Sequence, residues 1–436
     1  MLRLKRILNK FLPPSAETVQ SYQNTIEQKI VELLDALEVV ADRQKQIEEI
    51  KVDSIIKNLE SIIGHLNSDF LHQIEAVTSK QVEGWTWERF LRMEAVINTQ
   101  SDKLLSDLQS KHMSITAYNK KYYWNNPYEK SAIENNWGDL SKDTLLQDKY
   151  IKLIRGLDDI SIRTINRILF RQSRFLSDEC NQIDLFTLEE QRQLHFIDDE
   201  FEKEIVKIGD ETYAYGHYLL PINHFEAVVF YYKYCLSELD SIEQIKGKTI
   251  IDAGAYIGDT ALIFSELAPE KIVSFEPVQE NIELCKKTVQ MNGLTNVVLE
   301  QKALGSQAGY MDMYIAGEGS TSHPREEDRV FYAQDTSRVQ VVTLDNYVNE
   351  NQLRVGLIKA DVEGSELDLL LGARQVISEQ RPVLLICIYH NRHDFFNIKP
   401  ILESWNLNYR FKIRKPVVPN ATYETLLIAE PYDTTE

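Results

Sequence analysis

The run Ile250-Ile251-Asp252-Ala253-Gly254-Ala255-Tyr256-Ile257-Gly258-Asp259 decides the fold. An apolar segment at 249–253 reads as a buried strand, the two glycines as a turn, and 259–267 as the helix that follows. Glycine lets the backbone bend sharply and approach a ligand closely. The spacing is D-x-G-x-x-x-G, not the G-x-G-x-x-G of dinucleotide binders. A pyrophosphate wants bare N–H groups at a helix start. A ligand that carries an ammonium and no phosphate, such as S-adenosylmethionine, is better served by a carboxylate at the turn, here Asp252.

The same grammar of strand and helix continues downstream. Strands are predicted at 271–275 and 297–301, with a helix at 279–291 between them. After an insertion come a strand at 356–361, a helix at 366–379 and a strand at 383–389. The strands are near-continuous apolar runs, as a parallel sheet covered on both faces requires. A helix at 397–405 and strands at 409–413 and 425–429 end the chain. The short link between these last strands implies antiparallel pairing at one edge. The expected fold class is α/β, a Rossmann-like doubly wound and mostly parallel sheet with an antiparallel edge strand, preceded by a long helical or coiled-coil N-terminal region.

Two further segments deliver acidic side chains to strand ends, where open α/β sheets bind ligands. Ser274-Phe275-Glu276-Pro277 places Glu276 24 residues after Asp252, where a carboxylate accepts ribose hydroxyls or simply caps the next helix. Ile358-Lys359-Ala360-Asp361-Val362-Glu363-Gly364-Ser365-Glu366 places Asp361 and Glu363 two apart, on one side if the chain stays extended. Glu366 reads as the cap of the following helix.

The runs IIDAGAYIGDTALIFSELAP, VSFEP, LIKADVEGSELDLLLGA and RPVLLICIYH together resemble the FkbM family of methyltransferases over about 215–429. The K-x-D-x-E-G-x-E block, followed by Gly372-Ala373 and Arg381-Pro382, is the most family-specific part. The resemblance implies a class I, S-adenosylmethionine-dependent enzyme that methylates hydroxyl oxygens on sugars and similar acceptors. It implies cofactor binding at Asp252, Gly254, Tyr256 and Gly258, ribose recognition by Glu276, and an adenine-side segment at Ala303-Leu304-Gly305. It places Asp361 and Glu363 at the active-site mouth. Many relatives carry a glutamate in the strand after Arg-Pro; this chain has Cys387, so a role for that glutamate does not carry over.

A hydroxyl acceptor benefits from a base, and Asp361, Glu363 and His390 are the candidates. A divalent metal on Asp361 and Glu363 would also activate a hydroxyl, but two carboxylates without a histidine pair are weak metal evidence. The polar loop 317–323 reads as an acceptor loop or a plain turn. His217, Asn223, His224 and Glu226 precede the first strand and are placed to fold over the cofactor, Glu226 foremost.

The rest of the chain differs in composition. Residues 1–14 are basic and apolar by turns, either an amphipathic anchor on an anionic membrane surface or a helix end packed on the body. Between Ser15 and Tyr123 there is no proline, and Ile26, Ile30, Leu33, Leu37 and Val40 step by alternating fours and threes. That is a helix–helix seam. It reads equally as a coiled coil between copies, giving a homo-oligomer, or as a hairpin folded on itself. Residues 124–245 read as a helical connector, with helices at 149–177 and 224–239 and strand character around 212–218. The methyltransferase-like domain is taken as 246–436.

The formal charge of −19 argues against sequence-independent nucleic-acid binding. Four scattered cysteines are no secreted disulfide framework, which points to a reducing cytoplasm, with peripheral membrane contact through the N-terminus as the variant. The expected function is O-methylation of a saccharide or glycan-type acceptor. The alternative is a non-catalytic coiled-coil scaffold with a methyltransferase-like fold. A nicotinamide enzyme is disfavoured by the missing G-x-G-x-x-G.

Overall fold

The computed structural model describes residues 137–175, 186–314, 336–420 and 422–432. The basic N-terminus, the 15–123 seam and the 317–323 loop lie outside the described residues. The chain divides into two units.

The described part of the first unit, 139–151 and 158–175, carries most of α1 (Leu146–Ile154) and all of α2 (Asp159–Phe175). The single helix expected at 149–177 is therefore two, interrupted at Gly156, whose φ is +68°. Leu146, Tyr150, Ile162, Ile165 and Leu169 are buried, and the Tyr150 hydroxyl donates to Asn166 Oδ1 at 2.7 Å.

The second unit contains the described residues from Phe186 onward, with the short pieces 137–138 and 152–157. It starts with α3 (Leu188–Phe196), whose N-cap Thr187 and Glu190 form a reciprocal capping box. The region read as a helical connector then turns into a three-stranded antiparallel meander, β1 (Val206–Gly209), β2 (Thr212–Tyr215) and β3 (Tyr218–Leu220). The helix expected at 224–239 is also replaced. Only α4 (Ala227–Phe230) and one 3₁₀ stretch form, because Lys233, Tyr234 and Cys235 all take left-handed backbone angles.

The sheet itself follows the apolar runs closely. β4 (Thr249–Ala253), α5 (Asp259–Ser265), β5 (Lys271–Phe275), α6 (Gln279–Met291) and β6 (Val297–Glu300) alternate as the pattern requires. The insertion builds a small separate sheet from β7 (Ala303–Leu304), β8 (Gly309–Tyr314) and β9 (Thr336–Val342), then α7 (Leu344–Asn351). β10 (Val355–Ala360), α8 (Glu366–Gly372), α9 (Arg374–Gln380), β11 (Val383–Cys387), α10 (Arg392–Ser404), β12 (Tyr409–Arg414) and β13 (Leu426–Pro431) complete the unit. The main sheet runs β12-β13-β11-β10-β4-β5-β6. It is parallel from β11 to β6, and β13 is antiparallel to both neighbours. The antiparallel strand therefore sits one place in from the edge, which is β12.

Two helices depart from their expected bounds. The helix expected at 366–379 breaks at Ala373, next to Gly372, where the chain is pressed against the insertion: a Cβ there would lie 2.0 Å from the Gly305 carbonyl oxygen. α10 begins five residues earlier than expected, since the Asn391 side chain caps it by accepting from Asp394 N at 2.8 Å. Asn292 fastens the meander to the end of α6: its side-chain amide accepts from Leu219 N at 2.9 Å and donates to Leu219 O at 2.7 Å. Among the described residues no helix is long and apolar enough to cross a membrane.

Candidate active site

Register puts the site together before any side chain is considered. In the parallel sheet Lys359 of β10, Asp252 of β4 and Ser274 of β5 lie side by side. All three are buried. Asp252 Oδ2 accepts from Thr260 Oγ1 at 2.8 Å and Ser274 Oγ at 3.2 Å, and its Oδ1 lies 3.4 Å from Lys359 Nζ. Lys359 also donates to the Gly254 carbonyl at 2.6 Å. Burial alone would lower the Lys359 pKa, but the Asp252 and Asp361 charges outweigh it and raise it, so the ammonium stays charged. Asp252 is thus enclosed. Its carboxylate fixes the floor of the turn and faces no open space.

The turn is shaped by contact with β10. A Cβ on Gly254 would lie 1.7 Å from the Asp361 carbonyl oxygen, and φ there is +76°. Glycine at this position is required by the neighbouring strand. The N–H groups of Gly254 and Ala255 both donate to Phe275 O, at 3.0 and 3.1 Å, which removes them from any phosphate cradle. Gly258, φ +80°, lets α5 pack on Cys285. Tyr256, φ +43°, projects at the surface of the turn, where the His224 ring meets it edge-on at 5.0 Å. Of the residues expected to fold over the cofactor, His224 reaches the turn through this contact.

Glu276 is buried at the end of β5. It accepts from Tyr256 N at 3.0 Å, Val278 N at 2.9 Å and Asn281 Nδ2 at 3.2 Å. Desolvation pushes its pKa up to about 7, the three hydrogen bonds acting the other way. Ala303 lies in β7, paired with Val341 of β9.

Beyond β10 the chain does not stay extended: Glu363 takes φ +53° and Gly364 φ +94°. The turn nevertheless carries Asp361, Glu363 and Glu366 around one imidazole. His390 Nε2 lies 3.5 Å from Asp361 and 3.6 Å from Glu363, and Nδ1 lies 3.0 Å from Glu366. Burial would lower the His390 pKa, but the Glu366 and Glu363 charges raise it well above the ordinary value. The structure thus brings together Asp361, Glu363 and His390, the three base candidates of the sequence. Glu366, expected only to cap α8, does accept from Val362 N at 2.8 Å and in addition faces His390.

Three participants were not anticipated. Tyr234, held by the left-handed run at 233–235, donates to Asp361 Oδ2 at 2.9 Å and lies 3.2 Å from Cys387 Sγ. Tyr389 reaches Asp361 Oδ1 at 3.5 Å and stacks against His390 and Tyr423. Burial would raise the Asp361 pKa, but Lys359, His390, Tyr234 and Cys387 hold it below the usual carboxylate value. Glu424, φ +64°, is the third: burial and the Asp361 charge push its pKa up to about 8. Of these, Tyr389 stands in the quoted run RPVLLICIYH, as Lys359 stands in K-x-D-x-E-G-x-E. Tyr234 and Glu424 come from distant, unpatterned segments.

The turn after the first sheet strand, the acidic end of the adjacent strand and the block after β10 match one family model, described as the methyltransferase FkbM domain, over residues 252–411. This stretch is an FkbM-type methyltransferase domain. Methyltransferase 1 of Beauveria bassiana (strain ARSEF 2860) is 26% identical over 174 residues, covering 36% of this chain and 70% of that protein. Among solved structures, methyltransferase FkbM from Methylobacillus flagellatus KT aligns at 19% identity with a TM-score of 0.42, over 65% of this chain and 59% of its own. A SAM-dependent methyltransferase from Aquifex aeolicus aligns at 12% identity and a TM-score of 0.28, over 47% and 92%. The chain therefore spans just under three-fifths of the Methylobacillus protein's length.

Proposed function

We propose that this chain is an S-adenosylmethionine-dependent O-methyltransferase whose acceptor is a hydroxyl of a saccharide or glycan-type molecule. The observation that carries the reading is the adjacency of two dissimilar sites at neighbouring strand ends. One is the FkbM turn, with its N–H groups spent on Phe275 and the Glu276 carboxylate one hydrogen bond away. The other is the acidic turn around His390.

The residues fit the donor. The spent N–H groups disfavour a phosphate, and a buried carboxylate at the end of β5 suits a ribose diol. When bound, S-adenosylmethionine supplies an electrophilic methyl on a cationic sulfur. The chain's part is to hold donor and acceptor in line and to exclude water, where most of the rate gain of such a transfer arises. Tyr234 and Lys359 keep Asp361 ionised and fixed. Glu363, more exposed than Asp361, is the carboxylate best placed to take a hydroxyl proton. His390 lies among these carboxylates, whose charges raise its pKa.

The hydroxyl-rich acceptor is supported by the density of carboxylate acceptors and by the exposed Tyr423 ring beside Tyr389, a surface for the apolar face of a sugar. The test is incubation of the full chain with S-adenosylmethionine and a panel of acceptors, reading S-adenosylhomocysteine release and the methylated atom by mass spectrometry. Methyl ethers on a saccharide are expected. Transfer only to amines or carboxylates would overturn the acceptor class.

A further inference from the structure

We infer that Asp361, Glu366 and His390 form a binding site for a divalent first-row metal ion, with Mn²⁺ the cation whose ligand preferences match best. The inference deepens the methyltransferase reading by assigning a cation to the acceptor side of the same cleft.

Three segments converge to make the site. Asp361 leaves β10, Glu366 opens α8 and His390 follows β11, and each offers one ligand atom within 4.8 Å of the other two. A cluster of carboxylates alone would say little. Here the buried members are left without partners in a way that a cation would correct. The Glu366 side chain has no exposed surface, and its Oε2 has no hydrogen-bond partner. The His390 side chain is 9% exposed, and neither ring nitrogen makes a hydrogen bond, although Nδ1 comes to 3.0 Å from Glu366 Oε1. Buried polar atoms in this condition are costly, and an ion is one of the recognised ways of satisfying them.

The surroundings are those of a ligand set held in place from behind. Asp361 accepts from Tyr234, and Glu366 Oε1 accepts from Val362 N. Such outer partners orient metal ligands. One imidazole and two carboxylates suit a cation that takes mixed nitrogen and oxygen ligands and keeps open positions for water or substrate. A hydroxyl bound there would be acidified and fixed. The set differs from the pair read off the sequence, Asp361 and Glu363, because the turn at Glu363 brings Glu366 inward.

The experiment uses the full chain after chelation and exchange into metal-free buffer. Mn²⁺ is titrated in, and binding is read from loss of the free-ion electron paramagnetic resonance signal and from calorimetry. One ion per chain is expected, with affinity reduced at least about tenfold in Asp361→Asn and His390→Gln. Each variant is checked by circular dichroism. If the buried His390→Gln variant does not fold, the partly exposed Asp361→Asn variant decides. Absence of binding of Mn²⁺, Zn²⁺ and Mg²⁺ to the parent chain overturns the site, as does unchanged Mn²⁺ affinity in Asp361→Asn. S-adenosylmethionine binding is measured on the same metal-free sample. Donor binding without cation binding sinks the metal site alone. Cation binding without donor binding, in either metal state, sinks the donor assignment alone.

Discussion

Gly254→Ala should damage this protein far more than Gly258→Ala, although both replace a left-handed glycine in one turn. The shared cost is backbone: an alanine at positive φ is disfavoured by about 1–2 kcal/mol. The difference lies in what the new methyl meets. At 254 it would lie 1.7 Å from the Asp361 carbonyl oxygen, a backbone atom directly after the central strand β10 that cannot swing aside like a side chain. At 258 the nearest atom is Cys285 Sγ at 3.4 Å, an ordinary contact. Forcing β4 and β10 apart adds the cost of overpacking, about 1–3 kcal/mol or more. The totals are about 2–5 kcal/mol for Gly254→Ala and about 1–2 kcal/mol for Gly258→Ala. For a domain of this size each kcal/mol moves the melting midpoint by roughly 2–4 °C. Paired thermal melts followed by circular dichroism would show it. Equal midpoints for the two variants would refute the argument that β10 dictates the glycine.

Other perturbations address the charges. Lys359→Met leaves the Asp252 carboxylate buried and without its cation, which costs about 3–5 kcal/mol at neutral pH. A urea denaturation series at neutral pH should show the deficit, and an unchanged midpoint would be contrary evidence. Tyr234→Phe removes a donor to an ionised carboxylate, worth about 1.5–3 kcal/mol. Stability and methyl transfer should both fall, and unchanged values of both would remove Tyr234 from the site. Glu276, with its pKa pushed up to about 7, is neutral in acid and ionised in base. Donor affinity should therefore rise with pH through that value and level off above it; a flat profile in calorimetry would deny Glu276 its role as the diol acceptor.

How much of this was legible depends on whether the cause was local. β4, β5 and α6 are readable to the residue because apolar runs are bounded by glycine, proline and capping residues. The break at Ala373 is not readable, since it sits where Gly372 meets Gly305, 67 residues away. The left-handed Lys233-Tyr234-Cys235 run has no residue type that announces it, so a helix was the natural expectation there. The same holds for the site. Asp252, Glu276, Asp361 and His390 stand in motifs at strand ends, but enclosure of Asp252 by Lys359 depends on strand register. The gathering of Asp361, Glu363 and Glu366 around His390 depends on a turn at Glu363. Sequence supplies the residues of a motif, whereas protonation and access are properties of the packing around it.

The central claim is that the FkbM turn and Glu276 hold S-adenosylmethionine. The most direct measurement is calorimetric titration of S-adenosylmethionine into the folded full chain and into Glu276→Ala. The account predicts one donor bound per chain and clear weakening in the variant. No binding by the folded parent chain, with or without added divalent cation, or equal affinity in both proteins, would contradict it.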